Sequence, residues 1–148
     1  MSNSMIKLNC NNVNCTALID SGAGTSCMSQ KVMHRLNAWL EPITPGKPMR
    51  VCAADGRPLL VKGSTLVDIE LGGNIVTCSF LVLKDLPQGI ILGTDFLRAN
   101  NALVDFENQV VKFQNSDVQV NMLHGKKDQS ILAYVKNDTI LDANSETI

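Results

Sequence analysis

A chain of 148 residues, 45% hydrophobic and 18% charged, describes one ordinary globular domain with enough length to bury a core. A net charge of -1 without a basic block removes the electrostatic basis for holding nucleic acid or an anionic membrane. The longest apolar runs, such as Ile90-Ile91-Leu92, are far too short to span a bilayer.

Met1-Ser2-Asn3-Ser4 lacks the basic and apolar regions of a signal peptide. Met5-Ile6-Lys7-Leu8 alternates, Asn11-Asn12 signals a turn, and Val13 to Asp20 reads as the second strand of a hairpin. That strand begins as alternation and ends on the continuous run Ala17-Leu18-Ile19, so it passes from an edge into the core. Gly22-Ala23-Gly24 breaks it. Ser29 to Leu36 reads as a short helix, with Ser29 as N-cap and Val32, Met33 and Leu36 on the apolar face. Trp39 reads as a packing residue. Pro42, Pro45, Gly46 and Pro48 mark a loop.

Met49 to Ala54 and Leu59 to Lys62 flank the tight-turn signal Asp55-Gly56. Thr65 to Leu71 and Ile75 to Leu83 form a further pair around Gly72-Gly73-Asn74. Ile90-Ile91-Leu92-Gly93 is a short buried strand, and Thr94 to Asn100 a two-turn helix capped by Thr94 or Asp95. Ala102 to Phe106 and Gln109 to Phe113 form a last hairpin. Beyond Phe113 the composition turns polar, which sets a domain over residues 1–113 and a linker or C-terminal extension over 114–148, the start of a following region. Short strands at regular spacing with one or two short helices predict a mainly β, closed-barrel fold.

Five cysteines (Cys10, Cys15, Cys27, Cys52, Cys78) form no Cys-x-x-Cys pair, so they supply neither a disulfide framework nor a zinc set. They read as buried, reduced thiols in a cytoplasmic protein, and neither metal nor cofactor is expected. Ser26 and Cys27 have no histidine at a spacing that would make either a nucleophile. His34 belongs to a surface helix and His124 to the polar tail.

The chemistry concentrates at Asp20, the acid that ends a buried strand and precedes a tight turn, Asp20-Ser21-Gly22-Ala23. A lone buried carboxylate protonates or finds a partner. Two facing carboxylates share one proton, so the pair holds an acid and a base at once, enough to activate water against a peptide carbonyl and protonate the departing amine. Asp95 stands at a helix start, where capping explains it. Asp105 lacks a Ser-Gly turn. The remaining route is symmetry, which sets Asp20 against its own copy.

Asp20-Ser21-Gly22-Ala23 after an apolar strand resembles the Asp-Thr/Ser-Gly-Ala signature of aspartic proteases. A single copy in a domain of this size resembles the retropepsins, the retroviral and retrotransposon type. Ile91-Leu92-Gly93, with the helix after it, resembles the family's second motif, and Ala53-Ala54-Asp55-Gly56-Arg57 falls where the family has its substrate-covering flap. The Leu-Gly-Thr-Asp-Phe-Leu wording is similar to proteases of Ty3/Gypsy-like retroelement polyproteins.

The resemblance implies a retropepsin-like barrel, one lobe per chain, and an aspartic endopeptidase active as a homodimer that processes a polyprotein. Asp20 would be the catalytic residue. Ser21 would hydrogen-bond across the dimer, Gly22 would contact substrate, and Ala23 would leave the pocket open. A cellular retropepsin-like protease of the ubiquitin-shuttle type is the enzyme alternative. An inactive, domesticated fold serving as a dimerisation module is the non-enzyme one.

Overall fold

Asn11 and Asn12, with φ of 50° and 66°, turn the chain between β1 (Met5–Cys10) and β2 (Val13–Ile19). Positive φ at both central residues belongs to the turn whose twist matches that of the flanking strands. The computed structural model describes residues 4–44, 51 and 56–123. Within them follow β3 (Cys27–Ser29), α1 (Gln30–Arg35), β4 (Glu41–Pro42), β5 (Val61–Leu71), β6 (Asn74–Leu83) and β7 (Ile90–Leu92). Then come α2 (Thr94–Ala99), β8 (Ala102–Asp105), β9 (Val110–Phe113) and β10 (Val118–Asn121).

Six strands close a barrel in the order β1-β2-β7-β3-β6-β5, and β5 returns to β1 through Asn9↔Glu70 and Cys10↔Ile69. β4 extends the sheet from β5, and β10-β9-β8 form a second, three-stranded sheet. The mainly β, closed-barrel expectation thus holds, with two short helices. Closure leaves the barrel strands with few open edges. The interior is filled by Ile6, Met28, Ile69, Phe80 and Leu92, among others. Phe96 of α2 meets Phe113 of β9 edge-to-face, centroids 5.8 Å apart, which fastens the second sheet to the helix.

β2 changes character as its sequence predicts. Its first residues alternate in exposure, and Ala17, Leu18 and Ile19 are all buried. There it pairs with β7 in parallel, Leu18↔Ile91 and Ile19↔Leu92. A strand covered on both faces needs a continuous apolar run.

α1 is capped as expected. The Ser29 hydroxyl accepts from the Val32 N–H at 3.1 Å, Met33 and Leu36 are buried, and Asn37 (φ 56°) ends the helix. Ser29→Ala should therefore lower stability by about 1 kcal/mol, read from a denaturant midpoint at constant m. An unchanged midpoint would remove the cap from the account.

Several expectations need correction. Leu59 to Lys62 and Thr65 to Leu71 are not two strands: β5 runs from Val61 to Leu71, with a bulge between Val61 and Gly63 taking up the irregularity that reads as a break. Trp39 does not pack. Its side chain is 78% exposed, and its carbonyl, not its ring, ties it to β5 by accepting from Thr65 Oγ1 at 2.7 Å. The polar stretch after Phe113 does not leave the fold at once. Asp117 (φ 52°) turns the chain, and β10 pairs with β9 from Val118↔Phe113 to Asn121↔Val110. The end of this segment reaches the first strand, where Leu123 N–H donates to the Met5 carbonyl at 2.7 Å. Residues 124–148 lie outside the described residues.

Candidate active site

Asp20 is the first residue beyond β2, at the point where β2 and β7 lie side by side. Its backbone N–H donates to the Leu92 carbonyl at 3.0 Å, so the β2–β7 pairing fixes where the side chain begins. The chain then turns tightly: Ala23 N–H donates to the Asp20 carbonyl at 3.1 Å, and Gly22 N–H to Asp20 Oδ1 at 2.9 Å. The second bond orients the carboxyl group. A Cβ at Gly22 would stand 3.2 Å from that oxygen, tighter than side-chain carbons normally come, so glycine permits the approach. Asp20 is half-buried, Ser21 and Gly22 are exposed, and Ala23 is fully buried.

The second wall is Gly93 and the start of α2. Thr94 N–H donates to the Ala23 carbonyl at 2.8 Å. A Cβ on Gly93 would lie 2.6 Å from the Ala23 carbonyl oxygen and 3.0 Å from the Thr25 carbonyl carbon. Only glycine lets the turn lie against this strand end. Ile91 and Leu92, the other expected residues of this motif, are wholly buried, Ile91 packing in a cluster with Leu18, Ala23 and Val51. They hold the turn in place from below.

The expected flap residues Ala53, Ala54 and Asp55 lie outside the described residues. Gly56 and Arg57 are described and exposed, and Gly56 has a turn-type φ of 89°. On either side of this segment, Leu59 N–H donates to the Val51 carbonyl at 2.7 Å.

Asp95 does not cap α2. The N-cap is Gly93 and has no side-chain cap bond. The Asp95 carboxylate instead accepts from Ser26 Oγ at 2.6 Å and from Ser26 N–H at 3.1 Å. The partners are far apart in sequence, so periodicity and local capping rules carry no signal for the pair. Asp105 ends β8 and reaches into the β8–β9 turn, where its carboxylate accepts from Asn108 N–H at 3.0 Å and Nδ2 at 2.8 Å. Those bonds hold it below the usual carboxylate range.

Cys10, Cys15 and Cys27 are buried and free. Burial pushes the Cys10 thiol up to about 12, with Cys15 adding to it, and Cys78 up to about 11, with Asp95 adding to it. Burial raises Cys27 as well, and its thiol donates to the Thr25 carbonyl. A protonated, covered thiol is no nucleophile at neutral pH. Cys52 lies outside the described residues. Among the described residues, no three His, Cys, Asp or Glu side chains gather as metal ligands.

A family model described as the PEG10/RTL1 protease domain matches residues 16–122. The chain is 28% identical to the human Protein DDI1 homolog 1 over 121 residues, covering 80% of this chain and 30% of that protein. It is 25% identical to the Danio rerio Protein DDI1 homolog 2, with 80% and 29% covered. The chain thus spans less than a third of the length of these relatives. Among solved structures, the retroviral protease-like domain of Ddi1 from Leishmania major superposes with a TM-score of 0.65 at 19% identity, covering 84% of this chain and 92% of that one. The EIAV protease in complex with an inhibitor superposes with a TM-score of 0.55 at 21% identity, covering 70% and 93%. At these identities the structural likeness speaks for the fold.

Proposed function

Because the chain belongs to the PEG10/RTL1 protease domain family, and so to the retropepsin-like aspartic proteases, we propose that it is an aspartic endopeptidase whose site is completed by a second copy of itself. The observation that carries this reading is the turn that places Asp20. An acid stands at the open end of a parallel strand pair, aimed by Gly22 N–H and followed by the exposed Ser21 and Gly22. The Asp-Ser-Gly turn occurs once in the sequence, and water activation of the aspartic type needs two carboxylates. Two copies on a two-fold axis supply them.

In that pair one carboxylate is the base and the other, holding the shared proton, the acid. The base takes a proton from a water as the water attacks the peptide carbonyl carbon, and the acid gives its proton to the carbonyl oxygen. The first carboxyl then passes the water's proton to the amine nitrogen, the second takes a proton back from the intermediate's hydroxyl, and the C–N bond breaks, which restores the shared proton. Asp20 is the catalytic residue. Ser21 bonds across the two-fold axis and holds the two turns together, the backbone at Gly22 contacts substrate, and Ala23 keeps the pocket open. The segment Ala53 to Arg57 covers a peptide held as an extended strand.

The substrate is a polyprotein, of which the chain's own flanking sequence is the first candidate, and the protein works in the cytoplasm. Among the described residues no helix is long and apolar enough to cross a membrane. Similarity to the DDI1 proteins over 80% of the chain favours a second reading, a cellular protease acting on other proteins. The mechanism is the same in both.

Specific activity on a peptide library should fall as the protein is diluted, because monomers lack half the site. A turnover per chain independent of concentration would point to a complete site within one chain. Cleavage mapped to the sequences bordering residues 1–123, rather than to unrelated proteins, would favour self-processing over the cellular reading.

A further inference from the structure

The turn that carries Asp20 is short, partly exposed and built of small residues, a poor support for a group that must be placed to a fraction of an ångström. Its rigidity has to come from what it is tied to. The sequence reads Ser26 as a hydroxyl without a histidine base, and Asp95 as a helix cap preferred over a second carboxylate for Asp20. The structure joins them. Ser26 is 1% exposed, and its hydroxyl donates to Asp95 Oδ1 at 2.6 Å while accepting from Gly93 N–H at 2.9 Å. Ser26 N–H donates to the other carboxylate oxygen, Oδ2, at 3.1 Å. Phe96 N–H donates to Asp95 Oδ1 at 2.7 Å, which fixes the carboxylate on α2.

The result is a closed set of bonds between two chain segments. At its far end it holds Gly93 through its N–H, and the next residue, Thr94, pins the catalytic turn by donating its N–H to the Ala23 carbonyl. A carboxylate suits the position because it offers acceptors to both donors of Ser26. An amide would turn an N–H toward one of them. Asp95 also lines a cleft of about 400 Å³ between β6 and α2, with Val76, Cys78 and Asn100, so its outer side is reached by solvent while its inner side holds Ser26.

The geometry points to Ser26 and Asp95 as positioning residues for Asp20: a hydroxyl–carboxylate brace that fixes the catalytic turn on β7 and α2. The consequence for catalysis rests on the endopeptidase reading above, whereas the brace itself does not.

The test uses the full chain with Ser26→Ala, Asp95→Asn and the double variant, and two independent readouts. The first is amide hydrogen exchange at Asp20 and Thr94, with β5 as reference. The second is kcat per titrated active site, with KM. The brace predicts faster exchange at Asp20 and Thr94 in each variant, with exchange in β5 unchanged. It predicts a kcat lower by roughly tenfold, the scale of a small misplacement of a reacting group. KM should stay within about twofold, because neither Ser26 nor Asp95 is itself placed against substrate. The double variant should be no worse than the worse single one, because both substitutions break the same device. Asp95→Asn preserves size and carries the test if Ser26→Ala does not fold.

Wild-type exchange at Thr94 in both single variants, or additive losses in the double one, would overturn the brace. Faster exchange with kcat unchanged would overturn its catalytic role. A wild-type protein that cleaves nothing, with the exchange pattern present, would remove the endopeptidase reading and leave the brace standing.

Discussion

Asp20→Asn is expected to leave a folded protein that no longer cleaves peptides, with activity down on the order of 10³–10⁴-fold. The amide keeps the shape of the side chain and the acceptor that Gly22 N–H reaches. It cannot share a proton with its mate or take one from water. In the proposed dimer each site draws the residue from both copies, so the variant has no intact half to fall back on. Far-UV circular dichroism and the denaturation midpoint should match wild type, since Asp20 is half-buried and its N–H bond to Leu92 is unaffected. Undiminished cleavage would sink the mechanism. Loss of fold together with activity would make the experiment one about stability.

Gly93→Ala should do the opposite and strike the fold first. The added carbon has no room, 2.6 Å from the Ala23 carbonyl oxygen and 3.0 Å from the Thr25 carbonyl carbon, and both neighbours are backbone. Relief requires the Asp20 turn to lift off β7, which breaks the Thr94–Ala23 bond and uncovers the buried Ala23. A cost of about 3 kcal/mol follows, at the upper end of what overpacking usually exacts. Gly73→Ala is the control. Nothing stands within 4 Å of its new carbon, and stability should change by no more than about 0.5 kcal/mol. Urea denaturation of both variants reads the difference directly. Equal midpoints would mean that the turn yields easily, and the account of Gly93 as a fixed wall would fail.

Much of this architecture is legible in the sequence, for local reasons. Period-two alternation and the Asn11-Asn12 pair specify the first hairpin, and the change to Ala17-Leu18-Ile19 marks the point where β2 enters the core. Ser29 announces α1 because capping acts within one helical turn. Asp20 stands out because a carboxylate at the end of an apolar run, before small residues, is costly without a use.

What was hidden depends on contacts between distant residues. Barrel closure through Cys10↔Ile69 is a matter of register between strands far apart in sequence. The role of Asp95 is set by Ser26, 69 residues away, so a rule about helix starts misassigns it. β10 alternates for only four residues among polar neighbours, and composition outweighs so short a pattern. Asn37 and Asn101 take left-handed φ just past the caps of α1 and α2.

If the partner of Asp20 is another Asp20, activity depends on which chains pair. Wild-type chains are equilibrated with increasing amounts of Asp20→Asn at constant total concentration, and peptide cleavage is measured. Random pairing of two chains predicts activity that follows the square of the wild-type fraction, about one quarter at an equal mixture. A linear decline, with about half the activity at an equal mixture, would show that each chain carries a complete site and would contradict the account.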